Sequence, residues 1–369
     1  LGRAADICDG DQQQWTWPRF LHPAQANEIQ LKREDAMKKI LNDPEKYVDE
    51  MLEGFVAAHP EFYRMHGDSG KVVARAEKAK AGKVGIVTGG GSGHLPVFTG
   101  YVGKGLLDAC AIGDVFASPS ADQMADAIRA ADQGAGVVRL YGNYGGDIMN
   151  FDMAGELVEF EDIECTTVLL TDDVASAPPE EHEKRRGVAG MVYAFKLAGA
   201  AAEEGRDLQG VTAVAQKAAD ACRSIGAALS SCTVPQAGKP TFDIADDEME
   251  MGMGIHGEPG VWRGKLRTAD EIAEEMMDRL LAETPLASGD RLSVLVNSLG
   301  ATPPEELYIL YRTVKQRLES AGATIVMPLV GRYATSMEMS GVSFTLCKLD
   351  EELEALLKAP CDCAFWRVG

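Results

Sequence analysis

The sequence predicts an α/β protein of two α/β domains. The first is a mostly parallel sheet with helices on both faces, and the second is a smaller mixed-sheet domain. Three observations carry this expectation. From residue 83 onward, short apolar runs alternate with helical segments, a pattern that favours parallel strands joined by helices. Beyond residue 225 the character changes, with a Gly, Pro and Met-rich stretch at Met249–Gly264 of little periodicity. Finally, 369 residues suffice for two domains of ordinary size, each with its own core.

In chain order, residues 1–36 are rich in Gln, Asp, Arg and Trp and lack sustained periodicity. They have neither the apolar core of a signal peptide nor a targeting pattern. They read as an N-terminal extension foreign to the rest of the chain, appended or native, with an ordered arm as the other reading. Met37 opens an amphipathic segment and the first domain, residues 37–225. Buried strands are predicted at Lys83–Thr88, Leu107–Gly113, Gly136–Tyr144 and Cys165–Thr171. Helices are predicted near Ala121–Asp132, with Ser118 and Ser120 as cap candidates, and near Ile148–Phe160. Two Ala-rich helices come next, near Gly187–Glu204 and Thr212–Ala228. The second domain, residues 226–369, is predicted to hold helices at Ala269–Ala282 and Pro304–Ala321. Its strands are expected at Arg291–Ser298, Thr324–Val330 and Val342–Leu349, before a short acidic helix and a final run Cys361–Trp366.

Composition excludes some classes of function. Hydrophobic residues make up 46% and charged residues 25%, as in soluble globular chains. No run of about 18 apolar residues is present to span a membrane. A formal net charge of −21 opposes nucleic-acid binding, which draws its affinity from Lys and Arg on phosphates. The charge serves solubility, or else complements a basic partner. The eight cysteines are scattered, mostly in apolar runs, with no Cys-x-x-Cys pair. They read as buried reduced thiols of a cytoplasmic protein, and no metal site is expected.

Ligands of open parallel sheets bind beyond the carboxyl ends of the strands. The four early strands run out into Gly89-Gly90-Gly91-Ser92-Gly93-His94, Gly113-Asp114 and then Ser118, Gly142-Asn143-Tyr144-Gly145-Gly146-Asp147, and Thr171-Asp172-Asp173. In a parallel sheet all four clusters share one edge. Singly, each is also what a tight turn or a helix cap requires. The glycine run could cradle an anion, but no Gly-Lys-Ser/Thr comes after it. Rossmann spacing occurs at Gly252-x-Gly254-x-x-Gly257, after an acidic Met-rich stretch rather than a strand, so a dinucleotide site and a dehydrogenase are rejected. Within that stretch, His256 sits in Gly254-Ile255-His256-Gly257-Glu258-Pro259-Gly260, a loop too glycine-rich for regular structure. A turn-bound histidine, an acid–base group and a covalent nucleophile all remain open there.

These motifs together resemble the K subunit of dihydroxyacetone kinase. The resemblance takes in the glycine run through His94, Gly100-Tyr101-Val102-Gly103-Lys104-Gly105, Val115-Phe116-Ala117-Ser118-Pro119 and Asn143-Tyr144-x-Gly146-Asp147. It continues through Arg185-Arg186-Gly187-Val188-Ala189-Gly190, Cys232-Thr233-Val234-Pro235, the His256 loop and Thr335-Ser336-Met337-Glu338-Met339-Ser340-Gly341, from Met37 to the C-terminus. It implies that His256 adds through an imidazole nitrogen to the carbonyl of a short ketose, giving a hemiaminal that glycerol cannot form. Asp147 is then placed to take the proton of the attacking hydroxyl, His94 orients the substrate, and Gly91 and Ser118 line the pocket. No nucleotide motif is visible, so ATP and Mg²⁺, or a phosphorelay donor, are expected on a separate L-type subunit; a homodimer is implied as well. A non-catalytic, ketose-binding coactivator is the competing reading. Two departures stand out: Leu95 where the family commonly has Glu, and Gly142 where it commonly has Lys. The loss of a charge beside His94, and of a long cation near the pocket, suggests a ketose other than dihydroxyacetone, such as four-carbon erythrulose.

Overall fold

The computed structural model describes residues 38–369, of which Leu41–Gly369 form one compact unit. The expected extension, residues 1–36, lies outside the described residues. After a helix at Tyr47–Ala58 come β1 (Tyr63–His66), β2 (Val72–Arg75), β3 (Gly85–Ser92), β4 (Ala109–Val115), β5 (Val137–Gly142) and β6 (Cys165–Leu170). They form one sheet in the order β1-β2-β4-β3-β5-β6. Strands β3 to β6 are parallel, as alternation with helices demands. The antiparallel edge pair β1 and β2 was not among the sequence expectations. Four residues each leave too little periodicity to read.

Side chains alternate across this sheet. Val87, Ala109, Val137 and Tyr141 pack on the helices Ala121–Ala131 and Gly145–Glu159. Ile86, Val138, Leu140 and Leu170 face the helices Gly190–Glu203 and Leu208–Ala221. Ser120, not Ser118, caps Ala121–Ala131: its hydroxyl accepts from the Gln123 N–H, and Gln123 accepts in return from the Ser120 N–H. The Ser118 hydroxyl instead donates to the Pro119 carbonyl and accepts from the Asn150 amide, each at 3.3 Å.

The second sheet begins with β7 (Cys222–Ala228), where the predicted helix Thr212–Ala228 in fact ends at Ala221. Alanine and other small residues are frequent in both elements, so composition hid the change. Residue 225, the expected domain boundary, lies within β7. A short ribbon, β8 (Thr233–Val234) with β9 (Lys239–Pro240), precedes β10 (Glu248–Met251) and β11 (Trp262–Lys265). These last two correct the expectation of irregular chain across Met249–Gly264; only its glycine-rich middle is a loop. Then come β12 (Arg291–Ser298), β13 (Thr324–Ile325), β14 (Leu329–Gly331) and β15 (Gly341–Leu349), and a final ribbon of β16 (Cys361–Asp362) and β17 (Arg367–Val368). The single strand predicted at Thr324–Val330 is interrupted by Met327, at φ 49°. The sheet is mixed, seven-stranded, and ordered β11-β10-β7-β15-β12-β13, with β14 also on β12.

Helices Ala269–Glu283 and Pro304–Ser320 cover one face of this sheet. Cys222, Leu295 and Cys347 on its other face join the core of the Gly190–Glu203 layer. That helix is buried from Gly190 to Ala202 and, but for Lys196, whose ammonium donates to the Leu356 carbonyl, is apolar or small all round because both sheets use it. Of the seven described cysteines six are buried and Cys165 is half-buried. Among the described residues no helix is long and apolar enough to cross a membrane.

Candidate active site

Because β3 to β6 are parallel, their carboxyl ends do share one edge, and the polar clusters gather there. His94 follows β3 by two residues, Ser118 follows β4 by three, and Asp147 lies in the first turn of Gly145–Glu159 after β5. The fourth predicted residue arrives from the other sheet: His256 sits on the β10–β11 loop. Its ring meets the His94 ring edge-on, with centroids 4.8 Å apart. Phe116 stacks on His94 at 4.9 Å and meets His256 at 5.2 Å, while Tyr144 meets His256 edge-on at 4.9 Å. The structure thus brings His94, Ser118, Asp147 and His256 together. Gly91 lies on β3 where a Cβ would stand 2.7 Å from the Phe116 and Ala117 backbone, so only glycine admits this approach of chain to chain.

Each titratable group is held in a definite state. Nδ1 of His94 lies 2.7 Å from the Thr335 carbonyl, which can only accept, so Nδ1 carries the proton and Nε2 the lone pair. Burial, helped by the nearby His256, pushes the His94 pKa down to about 3, so the ring stays neutral. Its Nε2 is buried without a partner. Burial raises Asp147 to about 6 against the opposing pull of the nearby Ser118 hydroxyl and of His256. Its Oδ1 is likewise buried and unpartnered. Buried polar atoms in native proteins nearly always have partners. Two orphaned acceptors, each near His256, one neutral and one anionic, are therefore matched to a ligand that brings hydroxyl donors.

His256 is oriented by its own loop. Nδ1 lies 2.8 Å from Glu258 Oε1, and the His256 N–H donates to Glu258 Oε2 at 2.9 Å. Burial works to raise Glu258, but the hydrogen bond and charge of His256, with the backbone N–H groups, outweigh it and hold the carboxyl down to about 2. An ionised acceptor at Nδ1 fixes the proton of the neutral ring there and leaves Nε2 as a free nucleophile. Behind Glu258 stands Arg186, 3.9 Å away, itself paired with Asp173 at 2.8 Å. Gly254 makes room for this chain: a Cβ there would stand 2.2 Å from Glu258 Oε2 and 2.4 Å from Arg186.

The fourth cluster is absorbed by the fold. Asp172 accepts from the N–H groups of Val188 and Gly190 and from the Ser224 hydroxyl, stitching β6 to the buried helix and to β7. Four contributors stood in the motifs named above without a role assigned to them: Glu258, Thr335, Phe116 and Tyr144. Glu258 carries a readable signal, a carboxylate two residues past a loop histidine. Thr335 carries none, being 241 residues from the ring it orients. The absence of a side chain at Gly142 leaves no opening. A Cβ there would stand 3.1 Å from the Tyr144 ring and 3.4 Å from the Gly187 carbonyl. Tyr144 fills the space on its way to His256, its hydroxyl donating to Gly187 at 3.1 Å.

Known proteins share this arrangement of sequence and fold. Residues 53–365 match the Dak1 domain. The chain belongs to the Dak1 family. The dihydroxyacetone-binding subunit DhaK of PTS-dependent dihydroxyacetone kinase 1 from Listeria innocua is 46% identical over 332 residues, covering 89% of this chain and all of that protein. The L-erythrulose kinase of Pectobacterium atrosepticum is also 46% identical, over 337 residues, and there the match covers 90% of this chain but 57% of the relative. The dihydroxyacetone kinase of C. freundii superposes with a TM-score of 0.82 at 33% identity, over 90% of this chain and 61% of that one. The chain thus spans just over half the length of the longer relatives. The operon co-activator Dha-DhaQ superposes with a TM-score of 0.79 at 32% identity, over 85% of this chain and 96% of that one.

Proposed function

We propose that the chain holds a short ketose as a hemiaminal on His256 and offers the terminal hydroxyl to Asp147 for phosphorylation, the donor being carried by an L-type subunit. The observation that carries this reading is the meeting of an imidazole with a fixed tautomer and two buried acceptors without partners. In the first step the Nε2 lone pair of His256 forms a bond to the carbonyl carbon. The C=O π pair moves to oxygen, which gains a proton to become a hydroxyl. The ring balances this by giving up the Nδ1 proton, which already points at Glu258. Glycerol has no carbonyl and cannot react, so the bond itself selects ketoses over the commoner polyol.

His94 Nε2 and Asp147 Oδ1 then accept hydrogen bonds from the sugar's hydroxyls. Asp147, at about 6, is ionised at neutral pH yet basic enough to take the proton as the hydroxyl oxygen attacks phosphorus. Phosphoryl transfer otherwise depends on positioning and on charge neutralisation around the donor, a task assigned to the partner with its nucleotide and Mg²⁺ or to a phosphorelay. Relatives are named for both dihydroxyacetone and erythrulose, so the class proposed is C3–C4 ketoses. Crystals soaked in ketose test the bond: continuous density from His256 to the carbonyl carbon is expected, and a clear gap refutes it.

The likeness to the operon co-activator supports a second reading, a ketose-binding regulator that transfers nothing. Mixing the chain with L-type subunits, MgATP and a panel of ketoses separates the two. Sugar phosphate is expected; tight ketose binding without transfer under every donor favours the regulator.

A further inference from the structure

The helix Gly145–Glu159 begins at the catalytic carboxylate and continues away from it with an uncovered apolar stripe. Met149, Met153, Leu157 and, one residue past its end, Phe160 recur at spacings of four, four and three and lie on one face. They are 60%, 51%, 41% and 91% exposed. Beside them on the same helix runs a second stripe of exposed acids, Asp152, Glu156 and Glu159. Met and Phe at this exposure, aligned rather than scattered, mark a surface built for contact. From the sharing of one helix we infer that this face docks the chain that delivers the phosphoryl donor, through an apolar patch on that chain rimmed by Lys and Arg. The inference rests on the proposed function.

Position and charge choose this occupant. Transfer brings the donor phosphorus to about 3–3.5 Å from the attacking oxygen, so the donor chain must cover the first turn at Asp147. Gly145 and Gly146 are exposed there, and a Cβ on Gly145 would meet nothing within 4 Å, leaving the approach clear. A partner seated on that turn meets Met149 within the next turn, and the remaining stripe extends about 17 Å along the axis. A site for a polyphosphate is lined with cations, which suit the neighbouring acids of this helix. A second copy of this chain suits them poorly, because each copy carries a net charge of −21 and would oppose acid to acid.

The test uses the full chain, the double variant Met153→Glu with Leu157→Glu, and the charge reversal Glu156→Lys. All three positions are exposed and away from the groups that hold ketose. Ketose occupancy without any partner reads the proposed function and is expected to be equal in all the proteins. Binding of L-type subunits, loaded with MgATP, is measured by interferometry independently of turnover. The double variant is expected to weaken it by about 10-fold or more and Glu156→Lys by a smaller factor that shrinks with added salt. At saturating partner, kcat is expected to stay within about 2-fold. Equal binding by the double variant overturns the inference even where ketose occupancy is intact, and so does the absence of binding by the unaltered chain. Self-association of the unaltered chain in sedimentation, abolished by the double variant, overturns it as well and assigns the face to a second copy.

Discussion

Asp147 and Asp172 occupy the same edge of the same sheet, one past β5 and the other past β6, and both are buried. Their surroundings differ in one respect. Asp172 receives three donors from the fold, from Val188, Gly190 and Ser224. Asp147 has the Ser118 hydroxyl nearby but keeps a buried oxygen with no partner. The first carboxylate is spent on joining the two sheets through their shared helix. The second is held at a cost to stability, which a fold sustains only where a ligand completes the shell. Satisfaction, rather than residue type or burial, separates the structural acid from the one proposed to act on substrate.

Substitution should reverse the two. Asp147→Asn is expected to lower kcat by about 10²–10⁴-fold, the range for loss of a positioned acid–base group, with no loss of stability. Asp172→Ala strands two buried N–H groups and a hydroxyl and is expected to cost about 3 kcal/mol or more, read by chemical denaturation. Should Asp147→Asn unfold the protein while Asp172→Ala leaves it intact, the comparison fails.

Proton linkage sharpens the same contrast. The Asp147 carboxyl rises from 3.8 unfolded to about 6 folded, so between those values the folded state binds more protons. Its contribution to stability is therefore full below about pH 3.8 and is lost as pH rises through about 6. Asn has no such dependence. Asp147→Asn and the unaltered protein should match near pH 3, and the variant should lead by about 2–3 kcal/mol above pH 6, taking 1.36 kcal/mol per unit. Activity runs the other way: kcat should fall as pH drops below about 6 and the base is protonated. A flat stability difference across this window would remove the account of Asp147.

The histidines offer a comparison one step smaller. His256→Ala should abolish continuous density to ketose, since the proposed bond is to its Nε2. His94→Ala should retain the bond and lose orientation, lowering kcat/KM by about 10²-fold. Because burial holds His94 near 3, its contribution should not vary between pH 5 and 9. Glu258→Gln keeps the shape but lets the imidazole choose its tautomer, and a loss of about 10–10²-fold in ketose retention is expected.

The sequence carried the parallel sheet well, because β3 to β6 alternate with long helices and end in glycine and acid. It carried Arg291–Ser298 to the residue, a buried run bounded by polar turns. It missed β7, where Ala and Gly follow an Ala-rich helix with no break in composition, and it missed β1 and β2 for their brevity. Of the site, His94, Ser118, Asp147 and His256 were legible as the ends of strands and as a glycine-rich loop. Their mutual contact was not, since His256 comes from the other sheet. Nor was the aromatic wall: Phe116 turns into the pocket at φ 58°, a backbone state rare outside glycine that no local pattern announces.

The two departures from the family pattern are expected to have the smallest effects, and they should differ from each other. Leu95 is half-buried against the core, and its carbonyl accepts from the Thr335 hydroxyl at 3.0 Å. Thr335 in turn holds His94 by its own carbonyl. The backbone at residue 95 therefore steadies His94 whatever the side chain is. Leu95→Glu should alter the ratio of kcat/KM between erythrulose and dihydroxyacetone by only about 3-fold, below the 10-fold or more that one lost methylene contact can bring. Gly142 acts through Tyr144. A methyl group at 3.1 Å from that ring forces it a few tenths of an ångström toward His256, on the side where a sugar is proposed to sit. Gly142→Ala should therefore shift the same ratio toward the smaller ketose by up to about 10-fold. A larger change at Leu95 than at Gly142, measured side by side with both sugars, would move the control of ketose size from the Tyr144 wall to the surroundings of His94.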